Sequence, residues 1–593
     1  MLVLHAAHGA ASSSRHQRDS SSSRLTPDEG ESSAWPAKPD VLLWLVDDQG
    51  FGNAGFLNDN VITPQMDQLA RHDGAILMRH YTAPWCVPSR AALMTGIMPH
   101  VGLQGSGQHI PQSVRMLPQV MKAAGYSTHH IGKWHLGQLR SWKYPTSRGF
   151  DTSLGYMDGA CDYVSQKVGG KPDGQAGASD RAAWSCVGVD LQQDGAPALG
   201  RNGSFSSHWI HEELTRTLNR STAGPPLFLY VALQMMHTPS PGPEVLASAM
   251  GEYEAAGIVD KKFAEANALI TVADHLLAHA VELLHATERW DTTLLVHLSD
   301  NGGQVTDPYG KNTWGSGSPP SWSTQGNNWP LRGVKRSYFE GGVRVPAFVS
   351  GGALPSAMRG KMLYGLVHIA DWFSTIAELA GSEETPSRRG DDAEEQSMSM
   401  ANFLAGGGSW RSRMVLGAGD TSGTVNYNEA VINGSWKLIN GSVPCHWATR
   451  QGPLFPNLTT SNASARSRWR LPGASHLVGT GDCVFNRTTF LFNIVDDEGE
   501  HHNLVDDNPE QVALLLEMLA KARVSAEGAF ERDPDRGAPG KMEYCVAYRD
   551  AHGGFLGPYM DGRQVHVFTE EEKRPGRRHP LAFAEPDVYT DEW

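Results

Sequence analysis

The chain has 593 residues, 40% of them hydrophobic and 8% aromatic. That is enough apolar material for a sizeable core, and it excludes a wholly disordered polymer. Its 64 acidic side chains outnumber 50 basic ones for a net charge of −14, the wrong sign for a nucleic-acid binder, and no stretch approaches the ~18 apolar residues of a membrane span.

Residues 1–39 are rich in Ser, Arg and His without periodicity and read as a disordered leader. Order is expected to start at Val41-Leu-Leu-Trp-Leu-Val46, a short apolar run of the kind buried on both faces of a parallel sheet. Leu117 to Ala124 predicts a helix closed by Gly125, and Ser127 to Ile131 the strand after it. Leu227 to Leu233 predicts a strand, Phe263 to Leu284 a long helix, and Thr293 to Leu298 and Val345 to Val349 two further strands. Leu366 to Ala380 predicts an apolar-faced helix closed by Gly381. Repeated β-then-α order argues for a mainly parallel sheet covered by helices.

The segment 382–397 is charged and turn-rich and reads as a linker. Beyond it come short strands at Ala430–Ile432, Trp436–Ile439 and Phe490–Ile494, then a helix with Asn508 as its cap and Pro509 in its first turn. The expected organisation is a large α/β domain over 40–381 and a smaller α+β domain over 398–593. Six cysteines (Cys86, Cys161, Cys186, Cys445, Cys483 and Cys545) are too few for a disulfide scaffold and show no CxxC metal spacing. Glycosylation sequons begin at Asn202, Asn219, Asn433, Asn440, Asn457, Asn462 and Asn486. Their clustering after Asn433 predicts surface loops of a secretory-route protein, although Met1-Leu-Val-Leu-His5 is too short for a signal h-region.

Two strand ends carry acidic pairs. Asp47 and Asp48 follow the first buried strand, and Asp300-Asn301 follows the one ending at Leu298; ligands of open α/β sheets bind beyond the carboxyl ends of strands. Asp47, Asp48, Asp300 and Asn301 offer hard oxygens, suited to Ca²⁺ or Mg²⁺ more than to zinc, though two unrelated solvated turns would read the same way. In a third segment, Cys86-Val-Pro-Ser-Arg90-Ala-Ala-Leu-Met-Thr-Gly96, Pro88 can open a helix and Gly96 end it. Cys86 would then sit at a helix N-terminus, where the dipole favours an anion. A buried free cysteine is the bland alternative.

This third segment, Cys-x-Pro-Ser-Arg-x-x-Leu-x-x-Gly, resembles the sulfatase signature, and Gly125-Tyr-Ser-Thr-His-His-Ile-Gly-Lys133-Trp-His135-Leu-Gly137 resembles the family's second one. The likeness runs from about Pro39 to Met560 and looks nearest to the arylsulfatase B group, which removes the 4-sulfate of N-acetylgalactosamine. Arg148–Tyr156, Gln234–Pro239, Arg332–Lys335 with Glu340–Val343, and Gly557–Met560 carry that finer resemblance. The resemblance implies an alkaline-phosphatase-like α/β fold. It also implies a formylglycine made from Cys86 by a formylglycine-generating enzyme, and one Ca²⁺ held by Asp47, Asp48, Asp300, Asn301 and modified Cys86. Arg90 would hold the hydrated aldehyde, Lys133 and Lys335 would bind sulfate oxygens, His135 would hydrogen-bond the formylglycine, and His237 would face the leaving oxygen of a sulfated carbohydrate or aryl sulfate.

Such a set suits the reaction. Attack on an anionic sulfate ester needs cations placed for the transition state, and an aldehyde hydrate has a second hydroxyl through which the covalent adduct can collapse. The family likeness also implies that Cys161 pairs with Cys186 and Cys445 with Cys483, leaving Cys545 free or intermolecular. Two other readings compete. A phosphatase or phosphodiesterase of the alkaline-phosphatase superfamily would mostly use Ser or Thr with two zinc ions, and a non-catalytic glycan-binding relative would be expected to have lost some of these residues.

Overall fold

A computed structural model of the chain describes residues 35–101, 110–168, 187–221, 224–304, 326–384, 386, 396–408, 410–418, 428–441, 488–526 and 548–558. The leader expected over 1–39 therefore lies outside the described residues up to 34.

Ten strands form the main sheet. In chain order they are β1 (Asp40–Val46), β2 (Ala75–Leu77), β3 (Ser127–Lys133), β4 (Thr152–Tyr156), β5 (Gln192–Gln193), β6 (Ala196–Pro197), β7 (Leu227–Leu233), β8 (Thr293–Ser299), β9 (Ala347–Ser350) and β10 (Lys361–Leu363). Their order across the sheet is β10-β2-β9-β8-β1-β7-β3-β4-β5-β6. The five strands β8, β1, β7, β3 and β4 are mutually parallel, whereas β9 runs antiparallel to β8. Parallel strands need helical crossovers, which is why both faces of this sheet are covered. Val41, Leu43 and Leu45 pack on one side with the helices α1 (Cys86–Thr95), α2 (Leu117–Ala123) and α5 (Asp371–Leu379). Leu42, Trp44 and Val46 pack on the other with α3 (Ser206–Arg220) and α4 (Lys261–Ala286). The continuous apolar run of β1 thus serves two cores at once.

Two expectations are corrected. The helix predicted over Leu366–Ala380 is a two-residue strand, Val367–His368, followed by α5 only from Asp371. The Asp371 carboxylate accepts the backbone N–H of His368 and of Met398 and an Arg411 contact, so the turn before the helix is fixed by side-chain bonds that periodicity does not reveal. Among the described residues, one segment, Phe263–Ala286, is long and apolar enough to cross a membrane, with 61% of its most apolar window buried inside the protein. It is the core helix α4, whose buried Asn267 and Asp274 bond to Asn53 and to the backbone of Gln65 and Met66.

Beyond α5, four antiparallel strands form a second sheet, β11 (Arg413–Gly417), β12 (Glu429–Asn433), β13 (Trp436–Asn440) and β14 (Thr489–Asn493), in that order. Side chains alternate across a strand. Leu438 and Leu491 meet the long helix α6 (Pro509–Ala526) through Leu515 and Leu519, while Ile439 and Phe492 face Val334 and Phe339 of the large domain. The described sequons differ in their placement. Asn202 and Asn219 are exposed, but Asn433 and Asn440 end strands and are half-buried, with Asn440 donating to Glu429 at 3.3 Å. Asn457, Asn462 and Asn486 lie outside the described residues, as do Cys186, Cys445, Cys483 and Cys545.

Candidate active site

Four adjacent strands, β8, β1, β7 and β3, end on the same edge, and each delivers chemistry there. β1 runs into Asp47 and Asp48, β8 into Asp300 and Asn301, β7 into the turn that carries His237, and β3 ends on Lys133 two residues before His135. Asp48 sits in the left-handed backbone region at φ 57°, a conformation that short polar residues tolerate best. This aims its carboxylate back toward the β8 turn, where Asn301 donates to it at 2.7 Å. Its own N–H donates to Asp300 at 3.2 Å. Helix α1 adds the last part: Cys86 is its first residue and Gly96, at φ 68°, ends it.

Every residue anticipated from the sequence falls in this one buried cluster. The Lys133 ammonium lies 2.5 Å from Asp47, the Lys335 ammonium 2.6 Å from Asp48, and the Arg90 guanidinium 2.8 Å from Asp300. Arg90 also comes within 3.7 Å of Asp47, too far for a hydrogen bond and so a charge contact only. Three carboxylates and three cations balance at the carboxyl edge of the sheet. Donor atoms of Asp47, Asp48 and His237 lie within 4.8 Å of one another, and so do those of Asp47, Cys86 and Asp300.

Electrostatics follow from that packing. Burial pushes the Asp47 and Asp48 carboxyls up, but Lys133 and Lys335 respectively, with His237, more than offset it and hold both below the ordinary range. Asp300 is raised, by burial and then by Asp47. Burial also raises the Cys86 thiol, against the pull of Lys133 and Lys335. An unmodified Cys86 is therefore a protonated thiol at neutral pH and a poor nucleophile. Desolvation, then Lys133, holds the His135 imidazole neutral. His237 is lowered by burial and then by Lys335. Its Nδ1 donates to the Thr238 carbonyl at 2.7 Å, which turns Nε2 toward Asp48 at 3.9 Å.

The donor set suits a hard cation. Asp47 Oδ1 and Asn301 Oδ1 are buried without a hydrogen-bond partner, an expensive arrangement unless something else fills their lone pairs. His135 Nδ1 is likewise unpartnered. Gly159 leaves the His135 ring room, because a Cβ there would lie 2.6 Å from Nε2.

Supporting residues escaped the sequence reading. Tyr163 donates to the carbonyls of Gln234 and His237 at 2.9 and 3.0 Å, and Gln234 in turn donates to the Cys161 carbonyl. The segment around Tyr163 therefore clamps the turn bearing His237. Tyr230 approaches Arg90 from the middle of β7 at 3.4 Å. A tyrosine within an apolar strand gives no sign of which face it serves. The Cys161 thiol is free, which corrects the Cys161–Cys186 pairing that the family likeness implies, and it contacts Gln234 at 3.4 Å.

Fold and site define an α/β ester hydrolase whose cations and carboxylates are arranged for an anionic substrate. The sulfatase family model matches residues 39–382, and the chain belongs to the sulfatase family; it is a sulfuric ester hydrolase. It is 30% identical over 527 residues to arylsulfatase J of Mus musculus, covering 83% of this chain and 77% of that one. To N-acetylgalactosamine-6-sulfatase of Homo sapiens it is 29% identical over 364 residues, 58% of this chain and 63% of that one. Its fold is similar to that of Ps i-CgsB, solved in complex with k-i-k-neocarrahexaose, with a TM-score of 0.61, 22% identity, and coverage of 84% of this chain and 96% of the other.

Proposed function

We propose that the chain removes sulfate from sulfated sugars through a formylglycine formed from Cys86 by a formylglycine-generating enzyme on the secretory route. The observation that carries this reading is the placement of Cys86. It opens α1 with its sulfur turned into the charged cluster, within 4.8 Å of Asp47 and Asp300 oxygens, where a plain thiol would be inert. Asp47, Asp48, Asp300 and Asn301, with modified Cys86, would hold one Ca²⁺. The ion would supply positive charge beside the sulfate.

The chain's own residues do the rest. Lys133 and Lys335 bind sulfate oxygens as charge builds on them, and Arg90 and His135 orient the aldehyde hydrate. The hydrate would supply the hydroxyl that attacks sulfur, its proton passing to the neighbouring Asp300 carboxylate, while His237, once protonated at Nε2, would give that proton to the leaving sugar oxygen. The second hydroxyl would then pass its proton to the neutral His135 imidazole as the carbon–oxygen bond to sulfate breaks, which would release sulfate and restore the aldehyde. The resemblance to the arylsulfatase B group favours the 4-sulfate of N-acetylgalactosamine, while the relatives found include a 6-sulfatase and give the 4-position no support. Turnover of matched 4- and 6-sulfated N-acetylgalactosamines, beside an aryl sulfate and an aryl phosphate, tests the reading. Hydrolysis of one sugar sulfate with little phosphate turnover is expected, and preferential phosphate hydrolysis would contradict it.

A further inference from the structure

A second buried charge cluster lies where the C-terminal sheet meets the active-site loops. Lys437, on the face of β13 turned toward the large domain, places its ammonium 2.7 Å from Glu340 and 3.0 Å from Glu500. The other Glu340 oxygen accepts the Tyr81 hydroxyl at 2.9 Å, with Arg344 3.6 Å away. The second Glu500 oxygen accepts the Glu340 backbone N–H at 2.7 Å, and its carbonyl accepts the Arg332 guanidinium at 3.0 Å. Lys437, Glu340 and Glu500 are all fully buried. Ion groups so far from water hold one geometry, because losing a partner leaves an uncompensated buried charge.

What this cluster grips is the segment that carries Lys335. The loop 332–344 leaves Arg332, presents Lys335, and returns through Glu340, closed on itself where the Gly341 N–H donates to the Arg332 carbonyl at 2.6 Å. It is laced to the acidic turn as well: Lys335 N–H donates to the Gly303 carbonyl at 3.2 Å, and Gly302 N–H to the Gly342 carbonyl at 3.0 Å. The contact is too close for side chains, since a Cβ on Gly302 would lie 1.9 Å from the Gly341 oxygen. Any shift of Glu340 is therefore passed to both Lys335 and the Asp300 turn.

We propose that Lys437 is a positioning residue for Lys335, acting through Glu340 and Glu500, so that the C-terminal sheet sets the sulfate-binding geometry. The inference rests on the reading of Lys335 as a sulfate ligand. Removing Lys437 alone would strand two carboxylates, so the test variant is Lys437→Met combined with Glu500→Gln, which leaves Glu340 with Arg344 and Tyr81. Tyr81→Phe, which deletes a single hydroxyl, is the milder companion and carries the test alone if the double variant does not fold. kcat/KM on an aryl sulfate is measured for each in the wild-type and in the Lys335→Ala background, with unfolding temperature as a check of folding. A misplacement near 1 Å costs up to about a hundredfold, so a loss on the order of tenfold to a hundredfold is expected for the double variant. A smaller loss in the same direction is expected for Tyr81→Phe. Both losses should nearly vanish once Lys335 is already Ala, because residues acting through one another are not additive. Equal losses in both backgrounds, or full activity in the folded variants, would overturn the inference. If Lys335→Ala by itself has no effect, it is the sulfate-ligand reading that fails.

Discussion

At the scale of single residues, the proposed mechanism divides the cluster into groups that would touch sulfate and groups that would serve the leaving oxygen, and the two should separate by substrate. His237 Nε2 is the free end of a ring whose other nitrogen is tied to the Thr238 carbonyl, so any proton it moves must pass at Nε2. A nitrophenolate leaves readily without a proton, whereas a sugar alkoxide does not, and general acid catalysis typically supplies ~10²–10⁴-fold. His237→Ala is expected to keep much of its nitrophenyl sulfate turnover and lose most of its turnover of a sulfated sugar, while Lys335→Ala should lower both alike. Comparable losses for His237→Ala on the two substrates would move the acid role elsewhere, with His135 next. Asp300→Ala should remove the bound metal along with activity, because it takes away a charged ligand and at the same time unpairs Arg90. Metal analysis of purified protein checks this, and stoichiometric zinc would count against the hard-donor assignment. Position at strand ends singled out Asp300 with Asp47, Asp48 and Asn301 in the sequence, whereas Arg90, His135, His237 and Lys335 came from the resemblance to sulfatases and not from residue type or spacing. Tyr163, Tyr230 and Lys437 were not legible, because their partners lie 60 or more positions away and only the folded contacts bring them together.

Among the elements, glycines decide how closely the strands bearing the site can approach. Gly132 precedes Lys133 in β3 at φ 108°, and a Cβ there would meet the Ala232 carbonyl of β7 at 2.0 Å. Gly132→Ala adds both a left-handed strain and a backbone clash, and overpacking of this kind costs about 1–3 kcal/mol. The expected outcome is a lower unfolding temperature with a disproportionate loss of kcat/KM, since the displaced neighbour is Lys133; a variant with unchanged stability and activity would show that the two strands can separate freely. Most strands and long helices were legible because they are apolar and bounded by glycine or proline. Leu227–Leu233 was located to the residue. The start of α5 was not legible, because carboxylate bonds to backbone N–H groups end the preceding segment where periodicity continues. The direction of β9 was also hidden: an apolar strand reads alike whether it runs parallel or antiparallel.

For the whole molecule, burial of titratable groups sets the response to acid. His80, His130 and His297 are pushed down to about 3 and His129 and His279 to about 4, in each case chiefly by burial. A histidine held neutral in the folded state contributes stability that is present above its unfolded value near 6.5 and is lost as pH falls below it. Burial raises Asp190, Asp274 and Glu500 to about 7, and these act oppositely, favouring the folded state in acid and losing that advantage as pH rises through 7. Between pH 4.5 and 6.5 the five histidines outnumber the three acids, so the unfolding temperature should be lower at pH 4.5; an equal or higher value there would contradict the balance. The helix-covered parallel sheet, the smaller α+β part after it and the likeness to sulfatases were legible along the chain, whereas the contact of the C-terminal sheet with the active-site loop was not, because it depends on which face of β13 is turned inward. All of this chemistry turns on Cys86. Peptide mass analysis of the Cys86 segment, on protein co-produced with a formylglycine-generating enzyme and assayed in the same preparation, tests that most directly. The expected result is an aldehyde at position 86 in proportion to activity, with Cys86→Ser nearly inactive; a fully active preparation carrying only the unmodified thiol would contradict it.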